Sequence, residues 1–330
     1  MRTAFDVQPG RILVVHPDRK AQRALHRVLS STLCPVEIVE LDAAVAVAAD
    51  DPAVPTVIVI DQPLARTRPE LVAGPGLAWI AVPCDDVQPA RPEVVAELMA
   101  AGWRHVIGAP IALAGAELLI AVQKLLRGDP FGIDKHLGWG ATIEATTLED
   151  AGDRPAVVAR LVEGAGRAGM SERVASLASV IVDELLANAL FGAPAGGGGT
   201  RRDRADARFD SRPLAAREQV QLRWGSDARF LAVEVTDAWG SLAPGVPGPA
   251  IARASRRAAG ASEAGMGLAL AYACCHQLVL AIEPGRRSQA IALIDVGHRP
   301  VELGRAPSFH VFTSPRPAVA AGPPTAGAAT

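Results

Sequence analysis

The sequence predicts an α/β protein built in two parts. In the first part, short β-branched runs alternate with stretches of helical spacing, which is typical of a parallel sheet with helices on both faces. In the second part, helices are followed by pairs of alternating strands, which indicates a mixed sheet with helices on one face. The 330 residues are 49% hydrophobic and 21% charged, which is enough apolar material for two globular cores.

The first part, residues 1–128, is predicted to form a doubly wound, five-stranded parallel sheet. Its first strand is the β-branched run Arg11–Val15, bounded by Gly10 and Pro17, and helical spacing follows over Arg19–Leu29. A break in helical composition at 127–132 ends this part, and residues 129–140 are expected to form a connector. The remaining predicted strands are 36–41, 56–60, 77–82 and 105–107, and the remaining helices lie around Leu71, at 92–101 and at 114–126.

The second part, residues 141–300, is predicted to be a sandwich of a mixed sheet and helices. A capping Ser171 opens its longest helix, which is expected to reach Phe191. Residues 195–217 are glycine-rich and then rich in Arg and Asp, so we expect an exposed mobile insertion there, and we expect 301–330 to be an extension with a disordered tail. The other predicted elements are strands at 141–147, 219–224, 229–236, 278–283 and 289–296, and helices at 154–168 and 268–278.

The long helix carries polar residues in an otherwise apolar run. Residues 183–189 read Asp-Glu-Leu-Leu-Ala-Asn-Ala, and Glu184 and Asn188 are four apart, so they project from the same helix face. A carboxylate among Ile, Val and Leu is costly unless something binds it. Two interpretations stay open from the helix alone: Asp183 and Glu184 lie on its solvent face, or they belong to a site.

Two further polar or glycine-rich boxes follow the helix. A predicted strand ends at Asp237, and Gly240 comes three residues later. Gly265 and Gly267 then open another predicted helix, where backbone N–H groups favour a polyphosphate. Between these boxes lie Arg253 and residues 256–257, also arginines, which either clamp phosphates or keep a surface helix solvated.

This ordered set of boxes, over about residues 140–300, resembles the ATP-binding fold shared by DNA gyrase, histidine kinases, heat-shock chaperones and mismatch-repair ATPases, the GHKL superfamily. Within this superfamily, the helix sequence at 183–189 is most similar to that of the anti-sigma-factor serine kinases. The resemblance implies a Bergerat-type fold that binds ATP and Mg²⁺. It assigns Glu184 as general base, Asn188 as the Mg²⁺ ligand through its side-chain oxygen, and Asp237 as acceptor of a hydrogen bond from the adenine amino group.

The glycines take their roles from the same resemblance. Gly240 would let the backbone approach the base and ribose, and Gly265 and Gly267 would bind the phosphates. The family usually has Asp-x-Gly-x-Gly at this box, and here Trp239 stands in place of the first Gly.

The first part, over about residues 10–128, resembles a response-regulator receiver domain, with Asp61 directly after the third strand at the position of the phosphoacceptor. The acidic pair expected after the first strand falls on His16 and Pro17. The hydroxyl position falls near Val82, and the lysine position reads Ala109 before a proline. Without these Mg²⁺ ligands and the counter-cation, we expect a degenerate receiver in which Asp61 is a solvated loop acid rather than a phosphoacceptor.

Charge and composition exclude several classes of partner. The formal net charge is -2 and no long segment is dominated by Lys or Arg, which argues against nucleic acid and anionic membranes. The start of the sequence lacks an apolar signal segment, so a cytoplasmic location is expected. The expected partner is a regulatory protein of the anti-anti-sigma type or another signalling protein, and a homodimer is left open.

The sequence therefore predicts an ATP-binding signalling protein with a receiver-like regulatory domain. The favoured activity is a serine/threonine protein kinase of the partner-switching type, a phosphotransferase. The alternatives are a non-catalytic ATP-dependent switch and a protein-interaction scaffold in a two-component-like pathway. A conventional histidine kinase is disfavoured, because no long heptad region precedes the second part.

Overall fold

One mixed sheet of eleven strands runs through the described part of the chain. The structure is a computed structural model, and it describes residues 10–73, 77–85, 87–196, 211, 213–255, 266–297 and 306–314. The strands are β1 (Arg11–Val15), β2 (Val36–Ile38), β3 (Thr56–Asp61), β4 (Ala78–Val82), β5 (His105–Val106), β6 (Ile143–Leu148), β7 (Val220–Ser226), β8 (Phe230–Asp237), β9 (Gln277–Glu283), β10 (Arg287–Asp295) and β11 (Ser308–Thr313).

The α-helices of the described residues are, in chain order, α1 (Arg19–Leu29), α2 (Leu41–Asp50), α3 (Gln62–Thr67), α4 (Pro92–Ala100), α5 (Gly115–Arg127), α6 (Arg154–Arg167), α7 (Glu172–Ala187), α8 (Ala193–Gly196), α9 (Pro247–Ser255) and α10 (Met266–Cys274). Short 3₁₀ turns occur at Ser30–Thr32, Pro69–Ala73, Ile133–His136 and Ala151–Asp153. Most predicted elements are present, with ends shifted by a few residues. In the first part, α2 and α3 were not predicted, and the helix predicted around Leu71 is the 3₁₀ turn Pro69–Ala73.

The N-terminal strands pair in parallel in the order β2-β1-β3-β4-β5. Helices cover both faces of this half: α1 and α5 pack on one side, and α2, α3 and α4 on the other. The N-terminal half of the mixed sheet is thus parallel and has helices on both faces. It also brings the carboxyl ends of β1 and β3 together at the point where the strand order reverses, which is where open α/β sheets commonly bind ligands.

The C-terminal half is a mixed sheet in the order β11-β9-β10-β8-β7-β6. Its strands are antiparallel except for β11, which runs parallel to β9. Helices α6, α7, α9 and α10 cover one face of this half. On the other face, Phe131, Ile133 and Leu137 of the connector pack against the sheet.

Strand β11 joins the two halves into a single sheet. It pairs in parallel with β9 and antiparallel with β5, where Phe309 lies opposite Val106 and His310 opposite His105. Residues 308–313 of the predicted extension at 301–330 therefore form a strand, which the sequence analysis did not predict. The predicted tail after Ser314 and most of the predicted insertion at 195–217 lie outside the described residues.

A group of buried polar side chains lines this junction. His310 Nε2 lies 3.0 Å from Glu117 Oε1 of α5, and Lys124 of the same helix lies with Nζ 2.7 Å from His136 Nε2 and 5.2 Å from the ring centre of Phe312. Lys124 is only 3% exposed, and burial lowers its pKa to about 7. The join between the halves therefore combines apolar packing with ionisable groups.

One long apolar helical segment stands out. Among the described residues, Glu172–Gly192 is long and apolar enough to cross a membrane by length and composition, and most of it is buried inside the fold. Residues Ile181, Val182 and Leu186 of this segment are fully buried against the sheet and neighbouring helices. Such burial is what a core helix of a soluble protein shows.

Candidate functional site

The end of α7 supplies one wall of a candidate site. The helix begins at the predicted cap Ser171, whose hydroxyl accepts a hydrogen bond from Val174 N at 3.4 Å. Its last regular residue is Ala187, and Asn188–Gly192 continue as one π-helical turn. Such turns interrupt regular helices at functional sites more often than elsewhere. Asn188 therefore stands where the helix changes its geometry.

A cavity of about 310 Å³ opens beside this turn, between α7, β8, β10, α9 and α10. Its volume is at the lower end of the range for small-molecule sites, and its walls are mainly apolar with a few polar groups, as in most such sites. The polar lining residues are Asn188, Asp237, Ser241, Ser288 and Gln289. The apolar ones include Leu185, Ala189, Val235, Leu242, Val246, Pro247, Ala250, Leu268, Leu280 and Ala290.

Asp237 is the last residue of β8, as predicted, and it is 8% exposed. Its Oδ1 accepts hydrogen bonds from Trp239 N at 2.8 Å and Gly240 N at 3.3 Å. Burial raises the pKa of this carboxyl, and the backbone N–H groups of Trp239, Gly240 and Ser288 oppose that rise. A ligand that donates a hydrogen bond to the carboxylate would offset part of its desolvation cost.

Ser288 is a site residue that the sequence analysis missed. It lies directly opposite Asp237 in the antiparallel pairing of β8 with β10, and it lines the same cavity. The local sequence gave no indication of this, because Ser288 directly follows two arginines at a predicted hairpin. The only available signal was the pairing of two strands that are not consecutive in the chain.

Gly240 packs closely against the backbone of the turn between β9 and β10. Its φ is +56°, and a Cβ placed there would lie 2.2 Å from Glu283 O. Its carbonyl accepts a hydrogen bond from Gly285 N at 3.0 Å, so the segment after β8 is closely packed on the β9–β10 turn. A glycine is required here because no side chain fits.

The Trp239 side chain lies apart from the cavity. Its ring is buried, and the Arg217 guanidinium lies 4.5 Å from the ring centre. The described residues that form the cavity wall do not include Trp239. Trp239 therefore leaves the cavity open.

Glu184 lies one helical turn before Asn188 and is half-buried, outside the cavity wall formed by the described residues. Its neighbour Asp183 pairs with Arg154 at the start of α6, with Oδ2 and Nη2 2.5 Å apart. The two acids of the motif thus have different surroundings.

Of the two predicted phosphate-binding glycines, Gly267 is the second residue of α10, next to the cavity residue Leu268. Gly265 lies outside the described residues, as do the arginines at 256–257. The structure therefore brings Asn188 and Asp237 to one cavity and places Gly267 beside it.

A second cluster lies at the carboxyl ends of β1 and β3. His16 Nε2 is 3.7 Å from Asp61 Oδ1 and 3.5 Å from Pro83 O, and His16 Nδ1 accepts a hydrogen bond from Asp18 N at 3.1 Å. In a neutral ring the Nε2 atom therefore carries the proton and points toward the carboxylate and the carbonyl.

The expectation that Asp61 is a solvated loop acid was wrong. Asp61 is 2% exposed and ends β3, and its Oδ2 accepts a hydrogen bond from Leu64 N, so it caps α3. Burial raises its pKa, and the His16 ring opposes that rise. The sequence did not indicate this burial, because it depends on residues that follow β1 and β4.

Metal binding can be judged from the same residues. Within the described ranges, no group of three or more His, Cys, Asp or Glu side chains is arranged to hold a metal ion. Mg²⁺ often takes only one or two protein oxygens and completes its shell with phosphate and water. The carboxamide of Asn188 at the cavity is compatible with that mode.

Comparison with known proteins adds no family to these observations. No family model matches the chain, and a search of curated proteins finds no match. What the structure establishes is a mixed α/β fold around a large mixed sheet, with one cavity that contains Asn188 and Asp237.

Proposed function

We propose that the chain is an ATP-binding signalling protein, and that the cavity beside α7 is its nucleotide site. The observation that carries the proposal is that Asn188 and Asp237, which are far apart in the sequence, line the same cavity. The resemblance of residues 140–300 to the GHKL superfamily, and of the helix to the anti-sigma-factor serine kinases, had assigned these two residues to one nucleotide. A Bergerat-type ATP-binding unit after a degenerate receiver-like unit is part of this proposal.

The chemistry of the cavity supports a purine base with an amino group. Apolar walls such as Val235 and Leu280 would cover the faces of the base, and buried Asp237 would accept the hydrogen bond from its amino group. Guanine presents a carbonyl at the corresponding position, which a carboxylate would repel. The site should therefore prefer ATP to GTP.

Mg²⁺ would be held by Asn188 together with the nucleotide's phosphates. When bound, the ion would neutralise part of the phosphate charge. Glu184 lies one turn before Asn188 on the same helix face, where it would accept the proton of an acceptor hydroxyl. These roles correspond to a serine/threonine protein kinase of the partner-switching type, acting on a regulatory protein.

A protein partner is supported by apolar side chains exposed beside the cavity. Met266 and Leu270 are 46% and 45% exposed, and they are four apart on α10, so they share one helix face. Val246, at the cavity wall, is 52% exposed. A surface of this kind next to a nucleotide site suits a regulatory protein that presents a hydroxyl to the phosphates.

The second candidate function is an ATP-dependent switch without phosphoryl transfer. The position of Glu184 outside the cavity wall favours it, because a switch needs no general base. Phosphoryl transfer to a co-purified partner, lost in Glu184→Gln while ATP affinity is kept, would support the kinase. Binding of ATP with no transfer to any such partner would leave the switch.

Calorimetric titration of Mg·ATP tests the nucleotide site itself. We expect the wild-type chain to bind, Asp237→Asn to lose binding, and Asn188→Ala to bind more weakly, with GTP as the competitor that should fail. Asp50→Asn, which changes an exposed acid of α2, is the matched control and should bind like wild type. Absence of heat and of competition with a fluorescent nucleotide would reject both ATP functions and leave an interaction scaffold.

A further inference from the structure

Helix α9 has neighbours on two sides. Pro247 and Ala250, on one side, line the cavity beside α7. On another side α9 packs against α4, a helix of the N-terminal half. Ile251 and Ala252 are almost completely buried, so α9 is held firmly between its neighbours. A movement of α4 would therefore reach the cavity wall through a single helix.

Helix α9 comes close to the N-terminal half at Gly248. A Cβ at this position would lie 3.1 Å from the Met99 carbonyl oxygen of α4 and 3.2 Å from the Phe309 ring of β11. Both distances are shorter than ordinary van der Waals contact for a carbon atom. Because the nearest atom belongs to the backbone of α4, an added side chain would require the two helices to separate by a few tenths of an ångström.

We propose that α4 of the N-terminal half sets the position of α9, and thereby sets the affinity of the cavity for nucleotide, through the contact of Gly248 with Met99. The inference rests on the proposed function, since it assigns regulation to the proposed ATP site. The ligand class is that of the site itself, a magnesium-bound adenine nucleotide. The contact makes the N-terminal half a regulatory element of that site.

The contacts of α4 continue into the N-terminal half. Arg66 of α3 and Glu97 of α4 form an ion pair with Nη2 and Oε2 2.6 Å apart. Helix α3 begins at its cap Asp61, beside His16. The cluster at the carboxyl ends of β1 and β3 is thus connected to α4 by one short helix.

Substitutions at Gly248 test the contact from the side of α9. Gly248→Ala and Gly248→Val should weaken Mg·ATP binding in the calorimeter, with the larger side chain giving at least about a tenfold loss, within the usual range of coupling between sites. An alanine normally favours a helix over glycine, so a loss cannot come from helix propensity. Gly245→Ala is the matched control, because a Cβ there meets no atom within 4 Å.

Hydrogen exchange of the wild-type chain tests the same coupling without a mutation. Because coupling is reciprocal, saturating Mg·ATP should slow amide exchange in α4 by a measurable factor. Exchange in α1, which packs on the opposite face of the N-terminal sheet, should not change. This readout would not respond to a purely structural role of Gly248.

The two experiments separate failure of this inference from failure of the proposed function. If the wild-type chain does not bind Mg·ATP, the nucleotide site and its regulation are both rejected. If it binds while α4 exchanges at the same rate with and without nucleotide, and Gly248→Val binds like Gly245→Ala, only the coupling is rejected. Slower exchange in α4 together with weaker binding by the Gly248 variants supports it.

Discussion

His16 Nε2 lies 3.7 Å from Asp61 Oδ1, and both side chains are buried at the carboxyl ends of adjacent parallel strands. An imidazole N–H thus faces the carboxylate that, in a receiver, would take a phosphoryl group. The resemblance to a receiver would place Mg²⁺ ligands and a cation at positions that hold other residues in this chain, for example Pro17 and Ala109.

We expect no phosphorylation of Asp61 by a small phosphodonor. Incubation with acetyl phosphate and Mg²⁺, followed by intact-mass measurement at neutral pH, should show an unmodified chain, because the carboxylate is buried and lacks the groups that stabilise phosphoryl transfer. An active receiver domain in the same reaction is the control. A stoichiometric adduct that maps to Asp61 would contradict this expectation.

Asp61→Asn should remove the part of the pH dependence of stability that comes from the buried Asp61 carboxyl, because the variant side chain has the same shape and no charge. The folded pKa of Asp61 is raised by burial, so the cost of its charge is absent below about pH 4 and present above the folded pKa. The free energies of unfolding in urea at about pH 4 and at neutral pH, for wild type and variant, measure this pH dependence. Asp50→Asn changes an exposed position and keeps Asp61, so this control variant should show the same pH dependence as wild type.

Gly240→Ala should destabilise the protein strongly, by about 2 kcal/mol or more, because it adds both backbone strain at positive φ and a clash with Glu283 O. Gly285→Ala separates these two causes. Gly285 also has positive φ, at +75°, but a Cβ there meets no atom within 4 Å, so only about 1 kcal/mol of strain is expected. Equal free energies of unfolding for the two variants would contradict the close packing of Gly240.

Lys124→Met should reduce the increase in stability that the wild-type chain shows as the pH rises above neutral. Burial lowers the folded pKa of Lys124 to about 7, whereas an unfolded lysine titrates near about 10.4. Between these values the unfolded chain binds more protons, so wild-type stability should rise with pH. Thermal unfolding at pH 7 and pH 9 measures the slope, which should be smaller in Lys124→Met and unchanged in Lys20→Met, a surface control.

Binding of Mg·ATP should weaken as the pH falls through the pKa of Asp237, which burial raises above its ordinary value. Only the ionised carboxyl accepts a hydrogen bond with both oxygens, so protonation competes with the base. Ser288→Ala should also weaken binding, by about 1 kcal/mol or about fivefold, if its hydroxyl contributes one hydrogen bond to the site. Calorimetry over acid pH, with unfolding measured in parallel, checks both effects.

Local patterns allowed much of the fold to be predicted. The first strand and α1 have the predicted ends, and the cap at Ser171 and the end of β8 at Asp237 are confirmed. These features depend on apolar spacing, capping groups and strand alternation, all of which are local. Asn188 and Asp237 were singled out by the resemblance of their motifs to the GHKL superfamily, and their roles stay predictions.

The features that were missed depend on distant residues. Strand β11 lies in the predicted extension, where no strand was predicted, and its six residues gain their partners from β5 and β9. Helix α2 is alanine-rich, and its first residue, Leu41, had been assigned to the end of a predicted strand. The burial of Asp61 and the contact of α4 with α9 exist only once separate elements have packed together.

The place of β11 in the sheet also determines when the fold can be completed during synthesis. Both β5 and β9 keep an open edge until residue 313 has left the ribosome, because the strand between them is the last one in the described chain. Open edges of apolar strands are templates for pairing with other chains. A nascent or truncated product that ends before β11 would therefore expose two such edges at the centre of the molecule.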